Sequence, residues 1–372
     1  MSTGVHWLPT PGVRGDAAPG VSAPAPAAGP PASQTAEPEH GAGPLVDRFG
    51  RVHRDLRISL TDRCSLRCTY CMPAEGVEWL SKDSLLTTDE LERVARVAAG
   101  LGITEVRLTG GEPLLRRDVV DVVRRMARIE GPDGPLEVSI TTNGLRLVEL
   151  ARPLAEAGLA RANVSLDTLR PDRFLALTRR NRLGDVLAGI DAARAAGLDP
   201  VKINAVAMRG VNDDELVDLV RFAADRGAQM RFIEQMPLDA GHTWSRVEMV
   251  RGEEILDRLS EAFTLTPVGE RGASPAETWL VDGGPTTVGV IASVTAPFCG
   301  SCDRVRLTAD GQLRSCLFAR TESDLLPLLR GEASDADVAA LMRRCIAGKQ
   351  AGHGIDDEGF LQPDRPMSAI GG

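Results

Sequence analysis

The segment CSLRCTYC places Cys64, Cys68 and Cys71 within eight residues. Thiolates are soft ligands that suit zinc and iron–sulfur clusters. A structural zinc site normally takes four protein ligands, usually from paired C-x2-C elements, and this segment offers three. Three thiolates on a cubane cluster leave one iron that can bind a substrate or cofactor directly. The spacing therefore favours an iron–sulfur cluster with an open iron, with a zinc site that borrows His53 as the alternative.

A second group of three cysteines lies nearer the C-terminus, where Cys299 and Cys302 form C-x2-C and Cys316 follows. The segment DRVRLTADGQLRSCLF predicts a β-hairpin with an Asp-Gly turn, which would bring Cys302 and Cys316 together. A zinc knuckle is the alternative, because C-x2-C is its commonest element. No fourth cysteine or histidine lies within the hairpin, and His353 is distant in sequence. Three thiolates again favour a cluster with an open iron.

Two cations interrupt apolar strand patterns, Lys202 in VKINA and Arg231 in MRFIE. A buried charge must be paired or face a polar cavity. Four arginines also stand at strand ends or in the hairpin: Arg57, Arg107, Arg304 and Arg306. Guanidinium groups suit phosphates through bidentate bonding. The pattern indicates a site for a small anion, although arginine and lysine are exposed in most proteins.

The composition excludes several broad classes. The chain has 372 residues, enough for about two domains, and 43% of them are hydrophobic. A formal net charge of −9 and 3% aromatic residues are unlike a nucleic-acid-binding protein. The N-terminal pattern does not predict a secretory signal, and no run of about 18 apolar residues predicts a membrane span. The clustered cysteines therefore indicate metal binding in a reducing cytoplasm rather than disulfides.

Strand and helix patterns alternate between about residues 55 and 236. Six segments predict strands: LRISLT, EVRLT, EVSITTNG up to its turn, ANVSLD, PVKINAVAM and QMRFIEQM. The first helix is expected to have Thr88 as its N-cap, and the alternation implies parallel strands with right-handed crossovers. The cysteine loop, GGEP, TTNG, SLD and EQMP follow strands, where barrels place their chemistry. An open doubly wound sheet is the alternative, but we favour an α/β fold with a partial (β/α)6 TIM-type barrel.

Composition changes divide the chain into three parts. Residues 1–44 hold nine of the 24 prolines and predict a disordered Pro/Ala-rich extension. Residues 45–240 carry the strand–helix alternation and predict the partial barrel. Residues 241–372 predict an α+β extension that binds the second cluster, with a strand in TTVGVIASV, the hairpin, and helices around 321–331 and 334–347.

The N-terminal cysteine motif resembles that of the radical S-adenosylmethionine superfamily, since Tyr70 is an aromatic residue just before the third cysteine. GGEP, residues 110–113, matches that superfamily's second motif. The resemblance implies that the open iron chelates the amino and carboxylate groups of S-adenosylmethionine. One electron then cleaves this cofactor to methionine and a 5′-deoxyadenosyl radical. It also implies four residues that contact the cofactor: Tyr70, Gly111, Ser165 and Met236.

Joined to the second cysteine group, this motif resembles the GTP 3′,8-cyclase family of molybdenum cofactor biosynthesis, over about residues 44–372. The similarity includes DLRIS before the first cysteine loop, the hairpin at 303–318 and the terminal Gly371-Gly372. It implies a mobile Gly-Gly tail that contacts the active site, and two [4Fe–4S] clusters, the second of which binds the guanine. The implied cluster ligands are Cys64, Cys68, Cys71, Cys299, Cys302 and Cys316.

The same resemblance assigns the substrate-binding residues, whose cations would offset the about four negative charges of GTP. They are Arg57, Arg107, Thr142, Lys202, Arg231, Arg304, Val305 and Arg306. The implied catalytic residues are Arg57, Arg304, Arg306, Gly371 and Gly372. In the implied lyase reaction, the radical removes the hydrogen from C3′, the carbon radical attacks C8, and reduction with protonation gives 3′,8-cyclo-7,8-dihydro-GTP. No acid–base pair stands out: Glu112 is expected to be structural, and Asp167 has no assigned role.

Two other functions fit part of the pattern. A radical peptide-modifying maturase also carries auxiliary iron–sulfur clusters, but usually in a longer cysteine array, and arginines between the hairpin cysteines favour a nucleotide. A zinc-stabilised binding module, for example for RNA, is disfavoured by the acidic charge and low aromatic content. The resemblance further implies a homodimer, an electron donor such as flavodoxin or ferredoxin, and transfer of the product to cyclic pyranopterin monophosphate synthase.

Overall fold

A mostly parallel sheet is the framework of the protein in the computed structural model, which describes residues 43–239 and 241–371. The predictions for residues 1–42 and for Gly372 lie outside these ranges. The strands are β1 (Asp55–Ser59), β2 (Glu105–Thr109), β3 (Glu130–Gly131), β4 (Gly134–Pro135), β5 (Glu137–Thr142), β6 (Leu159–Ser165), β7 (Val201–Ala207), β8 (Gln229–Glu234), β9 (Leu265–Pro267), β10 (Glu277–Val281), β11 (Thr287–Ile291), β12 (Arg304–Leu307), β13 (Gln312–Arg314) and β14 (Ser323–Asp324). The helices are α1 (Thr88–Gly100), α2 (Val119–Met126), α3 (Leu147–Glu156), α4 (Pro171–Thr178), α5 (Leu183–Ala195), α6 (Leu216–Asp225), α7 (Gly252–Ser260), α8 (Leu326–Arg330), α9 (Asp335–Ala347) and α10 (Met367–Ile370), with short 3-10 turns at Lys82–Ser84, Pro113–Leu115 and Cys299–Ser301.

Six parallel strands, in the order β1-β2-β5-β6-β7-β8, form the centre of this sheet. They match the six predicted strands, so the α/β prediction with a partial barrel is confirmed. β12 adds in parallel beside β1, and β11 adds in parallel beside β8. Beyond them, β13, β14, β10 and β9 pair in antiparallel fashion. Within the described ranges the sheet does not close, and β14 and β9 are its edges.

Alternating burial along the strands separates a helix-covered face from a cavity-facing one. In β7, Val201, Ile203 and Ala205 are buried, whereas Lys202 and Asn204 between them are half-buried. The helices cover the apolar face with their own apolar stripes, which is the usual way to bury such a sheet. None of the helices in the described part of the chain is long and apolar enough to cross a membrane.

The strand register places cationic residues side by side. Arg57 of β1 is paired with Arg107 of β2 on one side and with Arg306 of β12 on the other. Arg231 of β8 is paired with the neutral Asn204 of β7, which shares a face of the sheet with Lys202 two residues earlier. Because successive residues of a strand point to opposite faces, aligned residues share one face of the sheet. The fold therefore gathers cations from strands distant in sequence onto its inner face.

Candidate functional site

A cavity of about 290 Å³ lies at the C-terminal ends of the parallel strands. It brings together most of the predicted site residues from both halves of the chain. Those that line it are Arg57, Cys64, Cys68, Tyr70, Cys71, Arg107, Gly111, Thr142, Ser165, Arg231, Met236, Arg304 and Arg306. Lys202 and Val305 are not among its lining residues, and the side chain of Val305 is fully buried.

The first cysteine loop is fixed by backbone hydrogen bonds. The amides of Cys71 and Met72 both donate to the carbonyl of Cys68, at 3.0 and 2.9 Å. The guanidinium of Arg67 donates to the carbonyl of Cys64 at 2.8 Å, and the amide of Thr69 donates to a carbonyl at the end of α4. The loop therefore presents its three thiols to the cavity on a constrained backbone.

The environment of these thiols fits an iron–sulfur cluster. Burial raises the pKa of all three, and burial with the neighbouring Cys64 raises that of Cys71 to about 12. Thiolates form in such a place only beside strong positive charge, which metal ions supply. Among the described residues, no three His, Cys, Asp or Glu side chains are placed to hold one ion. A cluster does not need such convergence, because each thiolate binds a different iron.

The GGEP segment packs directly against the backbone that precedes the cysteine loop. A methyl group on Gly111 would lie 2.4 Å from the carbonyl oxygens of Asp62 and Arg63, so a side chain is excluded there. The carboxylate of Glu112 accepts hydrogen bonds from the hydroxyl of Thr142 and the amide of Asn143, both at 2.7 Å. Glu112 is thus a buried strut between β2 and β5, in line with the structural role expected for it.

Tyr70 and Asp167 form a pair that the sequence does not reveal. The hydroxyl of Tyr70 donates to Oδ2 of Asp167 at 2.8 Å, and the amide of Val206 donates to Oδ1 at 2.9 Å. Both side chains line the cavity. Burial raises the pKa of Asp167 to about 6, although the two hydrogen bonds oppose this. The position of Asp167 after a strand, in SLD, is the only signal that could have marked it.

Asp167→Asn is expected to stabilise the ligand-free protein at pH 7. A carboxyl whose folded pKa is raised stabilises the fold fully below its unfolded pKa near 4, and this contribution is lost as pH rises through about 6. The shift of about two units corresponds to about 3 kcal/mol in the free energy of unfolding. Urea unfolding of both proteins from pH 4 to pH 8 measures this. The exposed Asp172→Asn is the matched control, and parallel pH dependences for wild type and Asp167→Asn would refute the assignment.

Four arginines surround the buried carboxylate of Asp55: Arg57, Arg107, Arg304 and Arg306. The Nε atoms of Arg57 and Arg304 lie 3.5 and 3.4 Å from Oδ2 of Asp55. Burial raises the pKa of Asp55, but the four guanidinium charges outweigh this and lower it to about 2. Both Nε atoms lack a hydrogen-bond partner among the described residues. One carboxylate cannot neutralise four guanidinium groups, so this group of four arginines suits an anionic ligand.

Lys202 and Arg231 form a second cationic pair on β7 and β8. Burial and the charge of Arg231 lower the pKa of Lys202 to about 7. Within residues 43–239 and 241–371, neither has a carboxylate within 4.0 Å. Arg161 on β6 differs, because its guanidinium lies 2.6 Å from both Glu105 and Glu137. The charge of Arg161 is thus offset, so of these three cations Lys202 and Arg231 remain available to an anion. Sequence reasoning missed Arg161, although it also interrupts a strand.

The C-terminal tail lies against the arginine cluster. Nη1 of Arg306 donates to the carbonyl of Gly371 at 2.6 Å. Gly371 has a φ of 85°, and a methyl group there would lie 2.5 Å from Oγ1 of Thr109. Earlier in the tail, Arg365 donates to both carboxylate oxygens of Asp310 in the hairpin turn, at 3.0 and 2.9 Å. The tail therefore packs at a place that only glycine fits.

Gly371→Ala is expected to lower kcat at least about tenfold, because the methyl group forces the tail away from Arg306 and removes one aligned contact at the site. The melting temperature should change little, since the last residues add few core contacts. Steady-state turnover and thermal unfolding measure the two effects. Gly352→Ala is the matched control, because a methyl group there meets nothing within 4 Å. Unchanged turnover in Gly371→Ala would show that the tail has no role in catalysis.

The second cysteine group lines a smaller cavity of about 70 Å³. Cys299, Cys302 and Cys316 all contribute to it, so the hairpin does bring them together. Six residues line both cavities: Met236, Ser293, Phe298, Arg304, Arg306 and Leu317. The two cysteine groups therefore face adjoining spaces with arginines between them.

Histidine is the natural fourth ligand of a zinc site, and His353 does lie in the second cavity despite its distance in sequence. Its Nδ1 accepts from the amide of Ile355 at 3.1 Å, and its Nε2 lies 3.0 Å from the carbonyl of Ser293. Both ring nitrogens are thus engaged with the backbone. Burial and then the charge of Lys349, which contacts the second cysteine group, lower the pKa of His53 to about 4. His53 therefore belongs to the surroundings of the second group, not the first.

Two cations contact the second cysteine group. Nζ of Lys349 lies 3.5 Å from the sulfur of Cys302 and 2.7 Å from the carbonyl of Arg304. Nη1 of Arg51 donates to the carbonyl of Cys299 at 2.6 Å. Burial raises the pKa of Cys302, but the charges of Lys349 and Arg304 outweigh it and lower the pKa below its ordinary value. The site favours a thiolate, as a cluster ligand requires.

Comparisons with known proteins agree with this geometry. The family model of the radical SAM superfamily matches residues 58–223, and that of Molybdenum Cofactor Synthesis C matches residues 228–355. The GTP 3′,8-cyclase of Streptomyces coelicolor is 58% identical over 335 residues, which cover 89% of this chain and 97% of that protein. The GTP 3′,8-cyclase of Mycolicibacterium smegmatis is 55% identical and covers 91% of this chain and 95% of its own length.

Solved structures show the same fold at low identity. SuiB of Streptococcus suis, bound to S-adenosylmethionine, aligns with a TM-score of 0.56 at 15% identity and covers 88% of this chain and 77% of that one. The structure of anSMEcpe with bound AdoMet aligns with a TM-score of 0.53 at 12% identity, over 80% of this chain and 84% of that one. At such identities the likeness shows the fold alone, whereas the curated relatives show the family. The chain belongs to the radical SAM superfamily and, within it, to the GTP 3′,8-cyclase family.

Proposed function

We propose that this protein is a lyase that converts GTP into its isomer 3′,8-cyclo-7,8-dihydro-GTP, a step of molybdenum cofactor biosynthesis. The observation that carries the proposal is the shared wall of the two cavities, where Arg304 and Arg306 stand between the two cysteine groups. A nucleotide bound to these cations lies beside both groups at once. The similarity to GTP 3′,8-cyclases over about nine-tenths of the chain supports GTP as the substrate.

The cysteines would hold two [4Fe–4S] clusters, Cys64, Cys68 and Cys71 the first, and Cys299, Cys302 and Cys316 the second. Tyr70, Gly111, Ser165 and Met236 would bind S-adenosylmethionine beside the first cysteine group. When bound, the cluster and S-adenosylmethionine supply a 5′-deoxyadenosyl radical that can remove the hydrogen at C3′ of GTP. The constrained loop and the glycine pair in GGEP would hold the cofactor in one orientation, because the radical and its target atom must be aligned to react.

The substrate would be held by the cationic side chains of the inner face. In the described ranges Arg107, Lys202 and Arg231 have no carboxylate oxygen within 4.0 Å, and they would bind the triphosphate. Thr142 would contact GTP through its hydroxyl, which already bonds Glu112, and Val305 through its backbone, since its side chain is buried.

Three residues would complete the reaction chamber. Arg57, Arg304 and Arg306 would orient the nucleotide between the cysteine groups, and the tail glycine that bonds Arg306 would help to exclude water. The product has the composition of GTP, so the reaction takes up one electron and one proton after hydrogen removal. In the described part of the chain we assign no residue as the proton donor.

A peptide-modifying maturase is the second candidate, since SuiB, which was also solved with the precursor peptide SuiA, shares the fold. The sequence identity of 15% to SuiB against 58% to a GTP 3′,8-cyclase disfavours it. The short cysteine array and the arginines between the two groups also suit a nucleotide better than a peptide.

The remaining partners follow from the same proposal. The protein would act in the cytoplasm, as a homodimer, with an electron donor such as flavodoxin or ferredoxin, and would pass its product to cyclic pyranopterin monophosphate synthase. Seven free cysteines in the described residues suit a reducing compartment.

Product analysis tests the proposed function. The protein is reconstituted anaerobically with iron and sulfide and incubated with dithionite, S-adenosylmethionine and GTP. Chromatography with mass spectrometry should then show a new isomer of GTP that depends on S-adenosylmethionine. Formation of 5′-deoxyadenosine with GTP left unchanged would contradict GTP as the substrate.

A further inference from the structure

Lys349 is a buried ammonium group near the second cysteine group. It follows α9, and only 3% of the residue is exposed. Among the residues that the structure describes, no carboxylate oxygen lies within 4.0 Å of it. Its two contacts are the carbonyl of Arg304 at 2.7 Å and the sulfur of Cys302 at 3.5 Å. Buried charges are normally paired, so the thiolate of Cys302 is the anion that this cation requires.

The charges around Lys349 do not offer it another anion. Arg51 is the neighbouring cation, and Asp47 lies 2.5 Å from Arg51, so that carboxylate is already paired. His53 is buried nearby and has no hydrogen-bond partner on either ring nitrogen among the described residues. Within the described residues, the anionic group that Lys349 contacts is therefore the thiolate of Cys302, whose sulfur lies 3.5 Å from Nζ.

We propose that Lys349 is a positioning residue for the second iron–sulfur cluster, where it stabilises the reduced state and aligns Arg304. A [4Fe–4S]2+ core with three thiolates carries a charge of about −1, and one electron from an external donor makes it about −2. A cation beside one ligand sulfur stabilises the more negative state, as hydrogen bonds and charge near cluster sulfurs do in general. The same ammonium group bonds the carbonyl of Arg304, so it links the cluster to a residue of the substrate site.

The inference rests on the proposed function only in requiring a cluster at the second cysteine group. The test uses full-length protein in which Cys64, Cys68 and Cys71 are replaced by serine, so that only that cluster assembles. Iron content is measured, and the reduced fraction is read by electron paramagnetic resonance at controlled potentials, without GTP or S-adenosylmethionine. Three variants are compared: Lys349→Met, Lys349→Gln and Lys349→Arg.

Loss of the charge in Lys349→Met and Lys349→Gln should lower the ratio of reduced to oxidised cluster at least about tenfold at fixed potential, a shift of about 59 mV for one electron. Lys349→Arg should stay close to the parent. Loss of iron from the two neutral variants, with iron retained in Lys349→Arg, would also support the role. Lys82→Met removes an exposed lysine and is the control, whose iron content and ratio of reduced to oxidised cluster should not change.

Neutral variants with full iron and an unchanged ratio would overturn the inference and leave the proposed function standing. Iron loss in all three Lys349 variants would overturn it as well, because the position would then be structural. A parent protein that binds no iron at the second group would instead contradict the proposed function.

Discussion

Cys316→Ser is expected to retain S-adenosylmethionine cleavage and to lose conversion of GTP. Cys316 lines only the second cavity, so its loss leaves the first cysteine group and its loop intact. The nucleotide, however, loses the cluster that would hold its base. Misplacement by about 1 Å in such reactions costs about 100-fold in rate, so product formation should fall by at least that factor. Liquid chromatography with mass spectrometry measures 5′-deoxyadenosine and the GTP isomer in the same samples.

Cys345→Ser is the control for this experiment. Cys345 is the seventh cysteine and packs within α9 against the core, outside both cavities. It should keep both activities. Full product formation by Cys316→Ser would refute the role of the second cysteine group in binding the nucleotide.

Arg306→Met should produce the second large effect, a fall of about 100- to 1,000-fold in kcat, as for the loss of one oriented hydrogen-bond donor in an active site. Arg306 lines both cavities, is aligned with Arg57 across the sheet and donates to the tail carbonyl of Gly371. Its removal therefore disturbs substrate and tail together. KM for GTP should rise as well, because positive charge is removed from the anion site. Steady-state kinetics with a thermal melt measure both.

The exposed Arg152→Met on α3 is the matched control for the loss of an arginine. It should leave kcat, KM and the melting temperature unchanged. If Arg306→Met turned over GTP at the wild-type rate, the arginine wall would have no part in catalysis.

Most of the fold could be predicted from local patterns of apolar and polar residues. The six central strands were predictable because apolar runs alternate with amphipathic helices, and each pattern is complete within about ten residues. The predicted N-cap of α1, Thr88, was wrong by one residue. Thr87 is the N-cap, because its side chain and that of Glu90 form a capping box, whereas Thr88 bonds Asp118 instead.

Contacts between distant segments were beyond such reasoning. The sequence shows no reason for β12 to pair with β1, about 250 residues earlier, or for β11 to pair with β8. The presence of His353 in the second cavity and the contact of Lys349 with Cys302 depend on this closure of the chain. Local periodicity does not encode them.

The site residues divide in the same way. The cysteines and GGEP were identified as site residues because their residue types and spacing are by themselves typical of the superfamily's motifs. Asp55 and Asp167 were not assigned a role, because each acts through neighbours on other strands, four arginines for Asp55 and a tyrosine for Asp167. A buried carboxylate within a strand pattern is the signal that could have marked Asp55.

Deuterium transfer from the substrate tests the central claim most directly. The anaerobically reconstituted protein is incubated with dithionite, S-adenosylmethionine and GTP that carries deuterium at C3′, and 5′-deoxyadenosine is analysed by mass spectrometry. We expect one deuterium in the 5′-deoxyadenosine, dependent on GTP, together with the GTP isomer. Unlabelled 5′-deoxyadenosine, formed equally without GTP, would contradict GTP as the substrate and direct the search to a peptide.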